Sequence, residues 1–214
     1  MQVTKFHFSI RALLSAFALA GFLTGCGGGG GDGLAPAPAT LTLSAEETAG
    51  LTYMREEEKL AHDVYVYLYG LWADNVFYQI SLSEASHTEA ILALLVKYGV
   101  PDPAAANGAG VFTDPALQTL YNTLIDSGKA SLVEGLKVGA LIEETDIRDI
   151  NAKKAITDNP DVLSVYDNLL CGSRNHLRAF DGKLDGLGVT YVPQVITQAE
   201  WDAIANTPSE TCGP

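Results

Sequence analysis

The tetrad Glu84-Ala85-Ser86-His87 places a carboxylate and an imidazole three residues apart. On a helix both leave the same face about one turn apart and can reach a single cation. The tetrad lies in an apolar stripe spaced at alternating three- and four-residue steps: Ile80, Glu84, His87, Ile91, Leu94 and Tyr98. Three further stretches show the same pattern. Leu51, Met54, Glu58, Ala61, Tyr65, Leu68 and Trp72 form one. Leu136, Ala140, Glu143, Ile147 and Ile150 form another, with Asp146 on the side of Glu143. Val162, Tyr166, Leu169, Ser173, His176 and Phe180 form the last. An unpaired buried carboxylate costs several kcal/mol, which is the scale of a whole domain's stability margin, so several at one depth need a common partner. A divalent cation is such a partner, because it turns mutually repelling acids into ligands. Oxygen and imidazole donors suit iron or manganese and also accept zinc or copper. The expected ligands are Glu58, Glu84, His87, Glu143, Asp146 and His176, holding one or two ions, with Tyr65 and Tyr166 behind them to orient carboxylates or pass an electron.

Each of these residues also has a purely structural reading. Ser81 and Glu84 fit a capping box, which would leave His87 as a core histidine bonded to a carbonyl. Glu58 lies in Arg55-Glu56-Glu57-Glu58-Lys59, and charge runs of that kind usually face water. Glu143 and Glu144 compete for one role; the apolar stripe favours Glu143, since Glu144 aligns with Lys137 and Arg148. His176 stands among Arg174, Asn175 and Arg178, which suits a hydrogen-bonded cluster, and His62 falls off the apolar line toward the surface.

The elements that must position these residues are helices. Ser44-Ala45-Glu46-Glu47 fits a capping box that opens a helix reaching Trp72, and a turn at Ala73-Asp74 precedes a second helix from about Asn75 to Tyr98. Gly99 and Pro101 end it. A crossover of about 30 residues follows, with a short helix over 115–126. Long helices are then expected over 131–154 and, after Asn159-Pro160, over 161–180; the tail reads as an extended arm with one helical turn near Trp201. A short link, a long crossover and a short link predict an all-α four-helix bundle with one crossover between its second and third helices.

The stretches REEEKLAHDVY, SEASH, IEETDI and GSRNHLRAF together resemble the ferritin-like family catalogued as domain of unknown function 2202, over about residues 45–195. The resemblance implies a ferritin-like bundle and a core metal site. The Glu58 and Tyr65 spacing is similar to that on the first helix of bacterioferritins and rubrerythrins. Such relatives carry Glu where this chain has Ser173, three residues before His176, and Asp146 is placed to supply the missing carboxylate. Three function classes follow: a di-metal oxidoreductase acting on metal, oxygen or peroxide; a metal-sequestering protein without turnover; and a metal-free interaction module.

The ends of the chain bear on where this happens. Lys5 and Arg11 precede an apolar run from Ala12 to Leu23, and Leu23-Thr24-Gly25-Cys26 resembles a lipobox, so residues 1–25 read as a lipoprotein signal and Cys26 as the lipidation site. Residues 26–40 read as a Gly/Pro linker and residues 41–214 as the domain. Export to the extracytoplasmic side of a bacterial membrane follows, and an oxidising compartment lets Cys171 and Cys212 pair as a disulfide. The chain carries a formal −13; removing the signal takes two basic residues and leaves 11 Lys and Arg against 26 Asp and Glu, a formal −15. That charge excludes nucleic acid as a partner and favours cations. No nucleotide loop is present, since Gly27–Gly31 belong to the linker.

Overall fold

The computed structural model describes residues 42–213. The signal at 1–25, Cys26 and the linker at 26–40 lie outside the described residues. Six helices and no strand occur among the described residues: α1 Ala45–Trp72, α2 Asn75–Tyr98, α3 Pro115–Gly128, α4 Leu132–Lys154, α5 Pro160–Gly186 and α6 Gln198–Ala205. None of them is long and apolar enough to cross a membrane.

Local chemistry accounts for their ends. The Ser44 side chain accepts from the Glu47 N–H while Glu47 accepts from the Ser44 N–H, which starts α1. Ala73 stops it in the left-handed region (φ 51°), and Asp74 at once caps α2, so α2 folds back along α1. Gly99 (φ 67°) ends α2 at a backbone conformation that favours glycine. Asp114 caps α3 with Pro115 in its first turn, and Asn159 and Pro160 do the same for α5.

Three expectations need correction. Helix α5 continues past Phe180 to Gly186, because Leu184 is fully buried and gives the extra turns an apolar face. The tail forms a helix of eight residues, α6, started by a Thr197/Glu200 capping box and held by buried Trp201 and Ile204. The Arg55 to Glu58 run does not face water: all four side chains are buried. Arg55 grips Asp102 through two 3.1 Å contacts and donates to the Thr88 carbonyl, tying α1 to α2 and the crossover. Glu56 accepts from the Thr113 and Asp114 N–H groups at the start of α3, where the helix dipole favours an anion.

Helix α1 packs chiefly on α2, and α4 on α5; α1 also meets α4, and α2 meets α5. Each long helix therefore faces two others across one core. Helix α3 lies over α1 and α4, and α6 lies on α5. Leu51, Met54, Tyr65, Leu68, Ile91, Leu136, Leu169 and Phe180 fill that core.

Candidate metal centre

Glu58, Glu84, Glu143 and His176 are buried at the middle of their apolar stripes, and His87 is nearly so, with 12% of its side chain exposed. Ser81 is not a cap, since it lies inside α2 and donates to the Tyr78 carbonyl. Two groups of donor atoms converge. Glu58, Glu84 and His87 form one triad, and Glu84, Glu143 and His176 form the other. Glu84 is shared: its Oε2 lies 2.9 Å from His87 Nδ1 and its Oε1 lies 2.7 Å from His176 Nδ1. Glu58 Oε2 is 3.1 Å from His87 Nδ1, and Glu143 Oε2 is 3.4 Å from His176 Nδ1.

The close contact between Glu84 Oε1 and His176 Nδ1 lacks the direction of a hydrogen bond, and both atoms, with Glu58 Oε1 and Glu143 Oε2, have no hydrogen-bond partner. With His176 protonated the contact is an ion pair; with the imidazole neutral, both atoms present lone pairs to one buried space. Two ligands at about 2.0–2.2 Å from one ion lie about 2.8–3.6 Å apart, a span that includes the 2.9, 3.1 and 3.4 Å contacts and that the 2.7 Å contact would reach by opening slightly. The donor set of three carboxylates and two imidazoles, with orphaned lone pairs, fits divalent metal.

Neighbouring groups hold this arrangement. The Tyr65 hydroxyl donates to Glu143 Oε1 at 2.5 Å, and its ring packs on Phe180 with centroids 5.3 Å apart. Ser83 Oγ lies 2.9 Å from His176 Nε2, so a ring that donates there leaves Nδ1 as a lone pair facing Glu84 and Glu143. Gly172 leaves the room that His87 occupies, for a Cβ there would fall 2.5 Å from His87 Nε2. Ser173 is buried and donates to the Leu169 carbonyl, contributing no acid. Tyr166 is buried too, but its hydroxyl lies against Gly50, 3.5 Å from where a Cβ would be.

Electrostatics match the geometry. Burial pushes the Glu58 carboxyl up to about 7, with His87 pulling the other way. Burial also raises Glu143, with Glu84 adding to it and His176 opposing. Burial acts to raise Glu84 as well, but the two imidazoles outweigh it and hold that carboxyl below the usual range. Burial disfavours charge on His176, yet Glu84 and Glu143 lift it to about 10; His87 is likewise raised, by Glu84 and Glu58. Each such proton is one that an arriving cation must displace.

Asp146 stands beside the triads, outside both. It is buried with neither oxygen hydrogen-bonded, and burial and the charges of Glu58, Glu57, Glu143 and Glu84 raise its carboxyl well above the usual range. Glu144 does not face water, as its alignment with Lys137 and Arg148 suggested. It is fully buried and accepts from the Tyr191 hydroxyl at 2.6 Å and from the N–H groups of Gln194, Val195 and Ile196, so it anchors the arm that follows α5. Arg174, Asn175 and Arg178 turn away from His176 and bind Glu210 or its backbone. His62 is half-buried against Asp63 at 2.9 Å. Cys171 and Cys212 are joined as a disulfide with Cα atoms 5.6 Å apart, fixing the tail to α5. Sequence reasoning missed Glu57, Ser83 and Gly172, none of which lies on an apolar stripe.

A family model described as an uncharacterized protein domain, DUF2202, matches residues 47–208. Uncharacterized protein MJ0754 of Methanocaldococcus jannaschii is 46% identical over 168 residues, covering 78% of this chain and 91% of the relative. A crystal structure of hypothetical protein MJ0754 from the same organism superimposes with a TM-score of 0.79 at 44% identity, over 81% of this chain and 99% of that one.

Proposed function

We propose, for a chain that belongs to the DUF2202 family, a ferritin-like four-helix bundle whose core would hold two divalent ions, iron or manganese, with Glu84 common to both donor groups. We further propose that lipid on Cys26 tethers it to the extracytoplasmic face of a bacterial membrane, the reading its signal-like first residues support. One observation carries the metal reading: two triads share Glu84 in the core, and Glu58 Oε1, Glu84 Oε1, Glu143 Oε2 and His176 Nδ1 have no hydrogen-bond partner, while His87 Nδ1 bonds Glu58 and Glu84. Glu58 with His87 would hold one ion and Glu143 with His176 the other. A bound pair of redox-active ions supplies Lewis acidity and electrons for reducing oxygen or peroxide. Tyr65 fixes the carboxylate of Glu143, Ser83 sets the His176 tautomer, and the surrounding apolar side chains exclude bulk water.

Sequestration without turnover is the second reading, favoured by the closure of the site, since Glu58 and Glu143 have no exposed surface. Elemental analysis of full chain purified without chelator or affinity metal, followed by anaerobic titration with Fe2+ or Mn2+, tests the centre. Glu84→Ala should abolish both ions, whereas Glu58→Ala and Glu143→Ala should each weaken chiefly one. A folded wild type that takes up no divalent ion removes both the redox and the sequestration readings and leaves the interaction module. Oxidation kinetics of the loaded protein separate the first two. Cys26→Ser should lose the detergent-phase partitioning of the wild type; unchanged partitioning overturns the anchor.

A further inference from the structure

Helices α1, α3 and α4 line a partly open cavity of about 20 Å3, room for about one water-sized sphere. Its walls are mostly apolar, including Leu60, Leu124, Leu141 and Ile142, but it also receives Glu57 and Asp146. Both acids are buried, at 2% and 1% exposure. Glu57 Oε2 and both Asp146 oxygens have no hydrogen-bond partner. Three orphaned carboxylate oxygens at one small apolar cavity are costly, because each has lost its hydration without gaining a hydrogen bond. The other Glu57 oxygen, Oε1, accepts from the Tyr53 hydroxyl at 3.2 Å, and the same hydroxyl lies 3.5 Å from Asp149 Oδ2. Asp149 is partly exposed and paired with Arg148. Acids therefore run inward from Asp149, past Tyr53 and Glu57, to Asp146, whose electrostatic neighbours include Glu58, Glu143 and Glu84 of the triads.

We propose that Glu57 and Asp146 form a third cation position, all-oxygen in character, on a path by which divalent ions move from the Asp149 surface to the two triads. All the orphaned donors here are carboxylate oxygens, which select hard cations, whereas each triad includes an imidazole. A single water can donate only two hydrogen bonds to the three orphaned oxygens. A cation answers all three and neutralises the acids together. The position stands independently of the triads; only its role as a path rests on the di-metal reading.

Tb3+, a hard oxygen-seeking ion, serves as the probe, and Tyr53, hydrogen-bonded to Glu57, is its antenna. Full chain titrated with Tb3+ under tyrosine excitation should show saturable emission. Glu57→Gln and Asp146→Asn should each weaken that binding about 10- to 100-fold, while the His87→Ala/His176→Ala double variant should retain it. Tyr53→Phe, which keeps both acids, should dim the emission per bound ion. Both substitutions replace a buried acid crowded by other acids with its neutral amide at nearly constant shape, so circular-dichroism melting is expected to be no lower than wild type. Emission indifferent to both substitutions, or lost in the double-histidine variant, overturns the position. Stopped-flow Mn2+ uptake by the triads should slow in Glu57→Gln with its final stoichiometry unchanged, and an unchanged rate overturns the path. If Tb3+ binds as described but the triads take up no divalent ion, the di-metal reading fails and the third position stands.

Discussion

Gly172→Ala gives a sharp test of how the imidazoles are lodged. The added Cβ would sit 2.5 Å from His87 Nε2 and 2.6 Å from Cε1, against the 3.4 Å at which ordinary contact begins, a shortfall of 0.9 Å at the nearer atom. Either the His87 ring moves by about that much, or α5 retreats from α2. Overpacking of this kind costs about 1–3 kcal/mol, and replacing a mid-helix glycine by alanine returns about 0.5–1 kcal/mol. The metal-free protein should therefore be near neutral to about 2.5 kcal/mol less stable in denaturant unfolding. Displacing a ligand ring by nearly 1 Å should weaken metal about 10- to 100-fold, the range seen when groups that orient ligands are lost. Gly182→Ala is the matched control on the same helix, because its Cβ meets nothing within 4 Å. It should stabilise by about 0.4–1 kcal/mol and leave metal affinity unchanged. Isothermal titration of both variants with Mn2+, beside urea unfolding of the metal-free forms, reads the two effects. If Gly172→Ala stabilises like Gly182→Ala and binds metal like wild type, His87 is not seated against α5 and the triad geometry is wrong.

Adjacent glutamates should give opposite phenotypes: Glu143→Ala should weaken chiefly one of the two ions, while Glu144→Ala should keep both and destabilise by about 3 kcal/mol or more, because Tyr191 and three backbone N–H groups lose their acceptor; thermal melts and metal titrations of the pair decide this. Cys171→Ala/Cys212→Ala opens a loop whose ends are 41 residues apart and should cost roughly 3–4 kcal/mol by the chain-entropy model, read as a lower urea midpoint with a larger m-value, because the uncrosslinked unfolded chain exposes more surface. Hydrogen bonds from Arg174 and then Arg178 outweigh burial and hold the Glu210 carboxyl down to about 2, below its ordinary 4.5. A depressed folded value means stability that is present above pH 4.5 and lost as the pH falls toward 2. The stability gap between wild type and Glu210→Gln should accordingly close over that window, and a gap independent of pH would refute the pairing.

Helix identity and direction were readable because capping and periodicity are local. Ser44, Asp74, Gly99, Pro115 and Asn159 act within a few residues of themselves, and a side chain's angle around its own helix follows from its number. That is why Glu58, Glu84, Glu143 and His176 could be placed in the interior from spacing alone. Spacing put Glu143 on the apolar stripe and Glu144 off it, but it did not show that Glu144 leaves the shared core for a second buried environment made by residues 191–196.

Partner choice was not local. Whether an acid beside an apolar stripe faces water depends on what a distant segment lays over it. Glu56 is buried because residues 113 and 114 bring backbone N–H groups to it, and Glu57 because α3 and α4 close over α1. Asp146 shares a helix side with Glu143, yet one turn along α4 carries it past the triads and into a different cavity, a displacement set by how α4 sits against α1 and α3. Gly172 gave no signal of its own in the sequence, because an absent side chain shows its purpose only when the His87 ring from another helix fills the space. Periodicity specifies where a residue points from one axis, while the depth, register and approach of the other axes are sums over many weak packing contacts, and those alone decided which pointed-in groups meet.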